Sequence, residues 1–234
     1  MTITYRSDIR VQPLRTSAMD FDVVQAARVS TLGADAVTSD GSTEGLINFL
    51  MRDKHGSPFE HNSMTFLIEA PIFVAREWMR HRVGWSYNEE SARYRELKPV
   101  FYVPAEDRNL RQVGKAGAYR FEPGTQLQKN IVRDVIRESY RHSWNSYQVM
   151  LRAGIAREVA RGVLPVGIYT SFFVTCNARS LMHFLSLRTT SELAKAPSFP
   201  QREIEMAAEQ MEAHFAEQMP ITYAAFNRHG RVAP

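Results

Sequence analysis

The longest helical pattern in this 234-residue chain sets the first limit on its fold. Between residues 127 and 152, apolar side chains recur at helical spacing, at Ile131, Val135, Tyr140, Trp144, Tyr147 and Leu151. A helix with such an apolar stripe buries it against another layer of secondary structure. The chain is therefore expected to contain a long, packed helix, and this expectation excludes an all-β fold.

A second hydrophobic period indicates that the other layers include strands. Apolar residues occupy every second position from Met64 to Ala70, which predicts a half-buried strand over residues 63–70. Further strands are predicted over residues 10–14, 100–103 and 168–176. Shorter helices are predicted over residues 20–27, 44–52, 71–82, 156–164, 178–187 and 201–218, and loops over residues 31–43, 106–125 and 192–200. Because no repeat and no linker interrupts this order, we expect a single α+β domain over residues 1–234.

Composition narrows the class of protein. Hydrophobic residues make up 44% of the chain and aromatic residues 11%, which suffices for a packed core. The single cysteine, Cys176, cannot form an internal disulfide and fits a reducing cytoplasm. No stretch approaches the roughly 18 apolar residues of a membrane span. His55 and His61 lack the further ligands of a zinc site, so we expect a cytoplasmic protein without a membrane partner or a bound metal.

Residues 80–94 concentrate side chains that bind anions. Arg80, His81, Arg82 and Arg93 lie in this one segment, together with carboxylates, an amide and hydroxyls. Arginine binds phosphate and carboxylate groups through two parallel hydrogen bonds. The segment therefore predicts a site for a multiply charged ligand that also carries a hydrogen-bonding ring.

The charge of the whole chain leaves one alternative open. The net charge is +4 and is spread along the sequence without a run of five like charges. Such a charge permits a non-catalytic protein that binds nucleic acid. Because arginine is concentrated around one segment, the sequence favours a small anionic ligand, and we expect no nucleic-acid partner.

Several of these side chains also have ordinary structural interpretations. Arg76 and Arg80 would share one face of the helix predicted over residues 71–82, as a solvated basic surface. Arg188 ends a predicted helix, where a cation commonly interacts with the last carbonyl groups. His183 could be a structural histidine, and Cys176 a small core residue.

Two further basic segments allow more than one interpretation. Arg157 and Arg161 flank Glu158 and could form surface ion pairs with it. Asn177 and Arg179 stand where a predicted strand meets a predicted helix. Backbone amides at a helix start favour anions, so this junction is a second candidate for anion binding.

Six segments together resemble one enzyme family. Arg80-His81-Arg82, followed after eight residues by Ser91 and then Arg93, resembles the signature of the flavin-dependent thymidylate synthases. The resemblance extends in order through residues 26–30, 55–61, 70–74, 157–161 and 177–182. Matches in the same order along nearly the whole chain are far more specific than one motif alone.

The resemblance implies a fold and a reaction. The expected fold is a single α+β domain whose central, mostly antiparallel sheet is flanked by helices. The expected reaction is C5-methylation of dUMP to dTMP, with FAD as cofactor, NADPH as reductant and methylenetetrahydrofolate as carbon donor. A related branch that methylates UMP is the alternative substrate choice. Members are homotetramers with shared active sites, so Ser91 and Arg188 of one site could come from different chains.

The resemblance also implies roles for individual residues. The implied FAD-binding residues are Ser30, His55, Ser57, Arg80, His81, Arg82, Asn88, Glu89, Asn177, Arg179 and His183. The implied nucleotide-binding residues are Glu77, Arg80, Glu89, Glu90, Ser91, Arg93, Arg161 and Arg188. Arg188 is the implied catalytic residue, which would polarise the uracil ring. Two departures stand out: Glu77 replaces the glutamine of many members, and the 189–200 loop is longer. Together with the absence of a nearby histidine at Thr190-Ser191, that loop keeps the UMP alternative open.

Overall fold

A computed structural model describes residues 2–38, 43–115 and 119–234 of the chain. Its α-helices are α1 (Asp20–Leu32), α2 (Thr43–Arg52), α3 (Ile72–Trp78), α4 (Gln126–Arg152), α5 (Arg157–Ala160), α6 (Ala178–Arg188), α7 (Arg202–Gln218) and α8 (Pro220–Arg228). Short 3₁₀ segments cover Gly33–Thr38, Ser57–Glu60 and Arg161–Val163. Among the described residues, no helix is both long enough and apolar enough to cross a membrane.

The strands form three small sheets. They are β1 (Thr4–Arg6), β2 (Arg10–Ser17), β3 (Ser63–Pro71), β4 (Trp85–Glu89), β5 (Val100–Tyr102), β6 (Arg111–Val113), β7 (Arg120–Glu122) and β8 (Tyr169–Cys176). The four-stranded sheet has the order β2-β3-β8-β4, β1 pairs in parallel with β5, and β6 pairs in antiparallel with β7. The arrangement is α+β, with an antiparallel sheet and helices, as predicted.

Long periodic segments were predicted well. The strand over residues 63–70 is confirmed as β3, whose residues alternate between buried and partly exposed positions. The helix over residues 127–152 is confirmed as α4, which follows the N-cap Thr125, but the expected burial of its apolar stripe is wrong for Ile131 and Val135, which are exposed. Thr125 accepts a hydrogen bond from the Gln128 amide, and the Gln128 side chain returns one to the Thr125 amide, 2.9 Å away. This reciprocal pair fixes where the helix begins.

Shorter elements were predicted less well. The prediction of a loop over residues 31–43 is wrong for residues 31–38, because α1 continues to Leu32 and a 3₁₀ segment follows it. Residues 39–42 lie outside the described part. The loop over residues 106–125 contains the β6–β7 hairpin, and its Gly117 is also outside the described part. The helix over residues 71–82 ends at Trp78, because the amide of His81 donates to the Trp78 carbonyl over 2.9 Å and starts a turn. The strand β4 and the helix α8 were missed.

The chain divides into two compact units, so the single domain stays a prediction. The first unit comprises residues 1–9, 69–77 and 89–172. Its core joins α4 to the segments around β5 and the start of β8. Its buried members are Leu97, Phe101, Trp144, Tyr147, Ala160 and Ile168. The ring of Phe101 stacks on Tyr140 with centroids 4.8 Å apart, which fixes α4 against β5.

The second unit comprises residues 10–68, 78–88 and 173–234. Its helices α1, α2, α6, α7 and α8 pack on one another around buried aromatic and aliphatic side chains. Among the largest fully buried side chains are Phe59, Phe66, Trp78, Phe184, Phe215 and Phe226. Trp78 stacks on Phe184 with centroids 5.1 Å apart, so the end of α3 is fixed against α6. This contact positions the polar segment that follows Trp78.

Candidate functional site

A cavity of about 410 Å³ lies wholly within the second unit. It is bordered by the 3₁₀ segment before β3, the segment after α3, the start of β4 and the first turns of α6. Its lining residues are Glu60, His81, Arg82, Val83, Gly84, Trp85, Asn177, Arg179, Ser180 and His183. The fold therefore brings together two segments predicted separately as anion sites, the one around Arg82 and the one around Arg179.

His81 and Arg188 are joined by a hydrogen bond. Arg188 Nε donates to His81 Nε2 over 3.1 Å, so this ring nitrogen carries no proton. Burial, and then the charges of Arg188 and His183, lower the pKa of His81 to about 4. The imidazole is therefore neutral at physiological pH. It serves as a fixed acceptor that orients the Arg188 guanidinium.

Aromatic contacts fix His81 in turn. Its ring meets the ring of Phe184 edge-on, with centroids 4.9 Å apart, and lies 6.2 Å from the Trp85 ring. The hydroxyl of Tyr87 lies 2.7 Å from the carbonyl oxygen of His81 and 3.0 Å from that of Trp78. Burial raises the pKa of Tyr87, which keeps its proton on the oxygen for donation. Both the ring and the backbone of His81 are thus held in place.

The pH dependence of stability tests the neutral state of His81. Its pKa is about 4 in the folded protein and 6.5 ordinarily, so between these values only the unfolded chain is protonated. The free energy of unfolding is therefore expected to fall as the pH falls through this window. His81→Gln should flatten that fall, measured by urea unfolding, whereas His142→Gln at an exposed position of α4 should not. Equal pH profiles for wild type and His81→Gln would contradict the assignment.

Gly84 lets the segment after α3 approach α6 closely. Its φ is 70°, in the left-handed region that favours glycine. A Cβ at this position would overlap the hydroxyl of Ser180. That hydroxyl donates to the carbonyl of Val83 over 2.8 Å, and so it ties the segment to α6. The sequence analysis did not single out Gly84, although a glycine within a dense polar motif is a signal of close approach.

The first amides of α6 already have protein partners. Asn62 Oδ1 accepts from the Ala178 amide over 2.8 Å, and Asn177 Oδ1 accepts from the Ser180 amide over 2.9 Å. Asn177 is therefore the N-cap of α6. We expected these backbone amides to face an anion. That expectation is wrong for Ala178 and Ser180, because their N–H groups already donate to the side-chain oxygens of Asn62 and Asn177. Arg179 supplies the positive charge at this junction.

Two contacts and one open space orient Arg179. Its Nε donates to the main-chain oxygen of Pro234 over 2.6 Å, and its Nη1 forms an ion pair with the carboxylate of Glu60. A Cβ at position 56 would overlap the guanidinium, so Gly56 leaves the space that Arg179 fills. The guanidinium is thus held at the cavity wall, with one neighbouring carboxylate to balance part of its charge.

Arg231 joins the C-terminal segment to the loop that follows Arg188. Its side chain is only 3% exposed and donates to both carboxylate oxygens of Glu212, over 2.6 and 2.9 Å. It also donates to Thr189 Oγ1 over 2.7 Å and to Asn227 Oδ1 over 2.7 Å. Thr189 is the C-cap of α6. The conformation of the residue next to Arg188 therefore depends on this buried network.

Several residues predicted for the nucleotide site lie in the first unit. Thr170 Oγ1 donates to Glu89 over 2.6 Å, and the Ser171 amide donates to Glu90 over 2.9 Å. These bonds fix both carboxylates to β8. Ser91 Oγ accepts from the amide of Arg93 over 3.3 Å, in the turn after β4. Both glutamates thus have a structural role as partners of β8, and their predicted contact with the nucleotide stays a prediction.

The remaining predicted residues occupy other positions. Arg93 pairs with Glu158 over 3.2 Å, which is a different partner for Glu158 from the expected Arg157 and Arg161. Arg161 is exposed in the 3₁₀ segment after α5. Arg80 is exposed beyond the end of α3, so its expected helical spacing from Arg76 is wrong. Outside the cavity lining also lie Ser30, His55, Ser57, Glu77 and Asn88, whose roles stay predictions.

Cys176 is a buried residue at the end of β8, with 2% of its surface exposed. Burial raises the pKa of its thiol, so the reactive thiolate is disfavoured. We expect Cys176→Ala to keep substantial turnover and to lose about 1 kcal/mol of stability, as a small core truncation does. Turnover and urea unfolding of the purified variant measure both. A folded Cys176→Ala variant without turnover would point to covalent catalysis by the thiol.

Comparison with known proteins defines the class to which this fold and site belong. The sequence profile of the family described as thymidylate synthase complementing protein matches residues 14–221. The chain belongs to this family.

Individual relatives narrow the class further. A flavin-dependent thymidylate synthase of Streptomyces avermitilis is 64% identical over 99% of this chain and 96% of its own length. The enzyme of the same name from Streptomyces coelicolor is 63% identical over the same shares. The crystal structure of a UMP/dUMP methylase, PolB from Streptomyces cacaoi bound with 5-Br UMP, superposes with a TM-score of 0.93. It is 55% identical, and the match covers 100% of both chains.

Proposed function

We propose that this protein methylates C5 of the uracil ring of dUMP and so forms dTMP. The observation that carries the proposal is the Arg188–His81 hydrogen bond beside a cavity lined by Arg82 and Arg179. The relatives named flavin-dependent thymidylate synthase support it. We infer further that the flavin is FAD, that NADPH is the reductant and that methylenetetrahydrofolate donates the carbon. A cytoplasmic location accords with these small-molecule partners.

The cavity suits a flavin nucleotide in size and chemistry. Its volume of about 410 Å³ lies in the usual range for ligand sites, roughly 300–1,000 Å³. Arg82 and Arg179 offer charged donors for phosphate groups. Trp85 and Val83 offer apolar surface for a ring, and Asn177 offers an amide beside them. When bound, the flavin would supply the hydride, while the side chains of the chain bind, orient and exclude water.

Arg188 would stabilise charge on the uracil ring. C5 of uracil is a poor nucleophile, and it becomes a better one when negative charge on the ring oxygens is stabilised. A guanidinium keeps its proton throughout the physiological pH range, so it serves as a permanent electrostatic donor and not as a base. The neutral His81 ring orients the Arg188 guanidinium without competing with it for an anionic ligand.

UMP is the second candidate substrate. The 55% identical PolB is described as a UMP/dUMP methylase, and its structures are bound with 5-Br UMP and with 5-Br dUMP. The 189–200 loop that follows Arg188 in this chain is the segment we infer to influence the choice. Its residue Thr189 is fixed by Arg231, and its Lys195 amide donates to the Gly230 carbonyl over 2.9 Å.

Tritium release tests the proposed function directly. Methylation at C5 displaces the C5 hydrogen, so 5-tritiated dUMP should release tritium only when FAD, NADPH and methylenetetrahydrofolate are all present. The same assay with 5-tritiated UMP measures the sugar preference, and replacing NADPH with NADH measures the preference for the reductant. Absence of release from both nucleotides by a flavin-loaded protein would overturn the proposal in favour of a non-catalytic binding protein.

Arg82→Ala tests the flavin site. We expect it to lose flavin affinity, because a charge-assisted hydrogen bond contributes about 1.5–3 kcal/mol. The flavin content after purification and the dissociation constant for added FAD measure the loss. Arg76→Ala, at an exposed position of α3, is the matched control and should bind flavin like the wild type. Equal flavin affinity in Arg82→Ala and Arg76→Ala would remove Arg82 from the site.

We also propose a homotetramer whose sites combine residues from different chains. Ser91 belongs to the first unit and Arg188 to the second, and either could be provided by a neighbouring subunit. Sedimentation of the purified protein measures the number of subunits. Mixed tetramers of Ser91→Ala and Arg188→Ala chains should regain part of the activity if sites are shared. A tetramer whose mixtures show only the mean of the two parent activities would indicate that each chain completes its own site.

A further inference from the structure

A second cavity, of about 340 Å³, lies wholly within the first unit. It is bordered by β1 and the residues after it, by the segment following β5, and by one face of α4. Its lining residues are Tyr5, Arg6, Ser7, Val103, Pro104, Ala105, Glu106, Leu110, Lys129, Val132, Arg133 and Arg137. None of them belongs to the flavin or nucleotide residues considered above.

The wall contributed by α4 is a row of cations. Lys129, Arg133 and Arg137 stand four residues apart, so they share one face of the helix. Like charges at this spacing repel one another and destabilise an isolated helix. Neighbouring carboxylates or a bound anion reduce this repulsion. The partners of each cation therefore decide whether charge is left over for a ligand.

Two of the cations that line the cavity are already balanced. Arg6 bonds to Asp8 over 2.8 Å and to Glu69 over 3.0 Å. Arg133 bonds to its neighbour Asp134 over 2.8 Å. Asp134 also lies within the electrostatic field of Arg137, but its hydrogen bonds go to Arg133. Neither Arg6 nor Arg133 thus needs a further anion.

The other two cations are not balanced in this way. Lys129 lines the cavity, and within the described part of the chain Arg137 has a buried Nε without a hydrogen-bond partner. The Arg137 guanidinium lies over the Tyr5 ring, 4.9 Å from its centroid, which fixes its position without satisfying Nε. A buried N–H donor without an acceptor is costly, and a ligand oxygen would relieve that cost. Glu106 is the one acidic residue among the lining residues.

We infer that this cavity binds a small organic oxyanion carried on an apolar ring. Arg137 and Lys129 would hold a phosphate monoester or a carboxylate group. Leu110, Val132 and Tyr5 would contact the ring, since they provide the apolar part of the lining. The ligand would thus have a charged end and an apolar end, and inorganic phosphate alone would use only half of the site.

Calorimetric titration of the flavin-loaded protein, with dUMP present to fill the nucleotide site, tests this inference. The probes are phenyl phosphate and benzoate, which distinguish phosphate from carboxylate, with phenol and inorganic phosphate as partial ligands. We expect one of the two ring-bearing anions to bind at least about tenfold more tightly than either partial ligand. Equal affinity for inorganic phosphate and both ring-bearing anions would overturn the inference of an apolar subsite.

Arg137→Met and Arg141→Met form the matched pair of variants. Methionine keeps the unbranched apolar stem of arginine without its charge, and Arg141 lies one turn further along α4, where it pairs with Glu138. Arg137→Met should weaken binding at least about tenfold and Arg141→Met should not. Thermal melting verifies folding, and Lys129→Gln replaces Arg137→Met if the latter does not fold. Unchanged affinity in the folded Arg137→Met or Lys129→Gln variant would overturn the inference.

Discussion

Arg188→Ala is expected to lower methylation about 10²–10³-fold, while FAD reduction by NADPH continues at nearly the wild-type rate. Losing one preorganised charged donor at a reacting oxygen commonly costs this much. The reduction of flavin needs no activated uracil, so the two half-reactions should separate in this variant. Stopped-flow flavin reduction and tritium release from dUMP, measured on the same preparation, give both rates.

Arg188→Lys is the informative companion variant. An ammonium carries the charge but cannot reproduce the planar guanidinium, whose Nε donates to His81 in a fixed direction. We therefore expect little recovery. If methylation survives in Arg188→Ala, or if both half-reactions fall together while flavin stays bound, Arg188 has the ordinary role of a cation at the end of α6.

Glu212→Ala is expected to destabilise the protein by about 3–5 kcal/mol, because it leaves a buried charge without its partner. The charge is that of Arg231, whose side chain is 3% exposed and which Glu212 binds with both carboxylate oxygens. Urea unfolding measures the loss. The variant should also be impaired in methylation at temperatures where it stays folded, since Arg231 holds Thr189 beside Arg188.

An exposed ion pair of the same region provides the control for Glu212→Ala. Arg228 lies 3.6 Å from Glu44, and the two side chains are 59% and 68% exposed. Exposed pairs contribute only about 0–1 kcal/mol, so Arg228→Ala should leave unfolding nearly unchanged. Similar losses in both variants would mean that the Arg231 network is not the special feature of this region.

The parts of the fold that were predicted correctly are those with an unambiguous hydrophobic period. The strand β3 shows every second residue buried, and α4 forms the predicted long helix, although its apolar stripe is buried at Trp144 and Tyr147 and exposed at Ile131 and Val135. The strand β4, by contrast, spans only Trp85–Glu89, and the alternation of Trp85 and Tyr87 with polar residues is too short to distinguish a strand within the polar segment around it. Its pairing with β8 depends on distant residues, such as the bond between Ser171 and Glu90. The sequence of a short segment alone does not predict such a long-range pairing.

The candidate site was predictable to the extent that its residues are charged and close together in the sequence. The two arginine-rich segments were found, and the fold brings His81, Arg82 and Arg179 to one cavity. The residues that orient them were missed, because their partners are remote. Glu60 pairs with Arg179 across 119 positions of the chain, and Asn62 caps α6 across 116. Glycines were missed as well, since what Gly56 permits is visible only beside Arg179.

The residues after α8 have a practical consequence for anyone who expresses or engineers this protein. Residues that follow the last helix of a domain often tolerate changes well when their backbone makes few contacts. Here the carbonyl of Val232 accepts from Lys54 over 2.9 Å, and Pro234 holds Arg179. Residues 232–234 thus support the cavity wall, so a substitution at Pro234 is expected to disturb Arg179. Weak flavin retention by a protein altered at residues 232–234 would then reflect the loss of this support and not the absence of a flavin site.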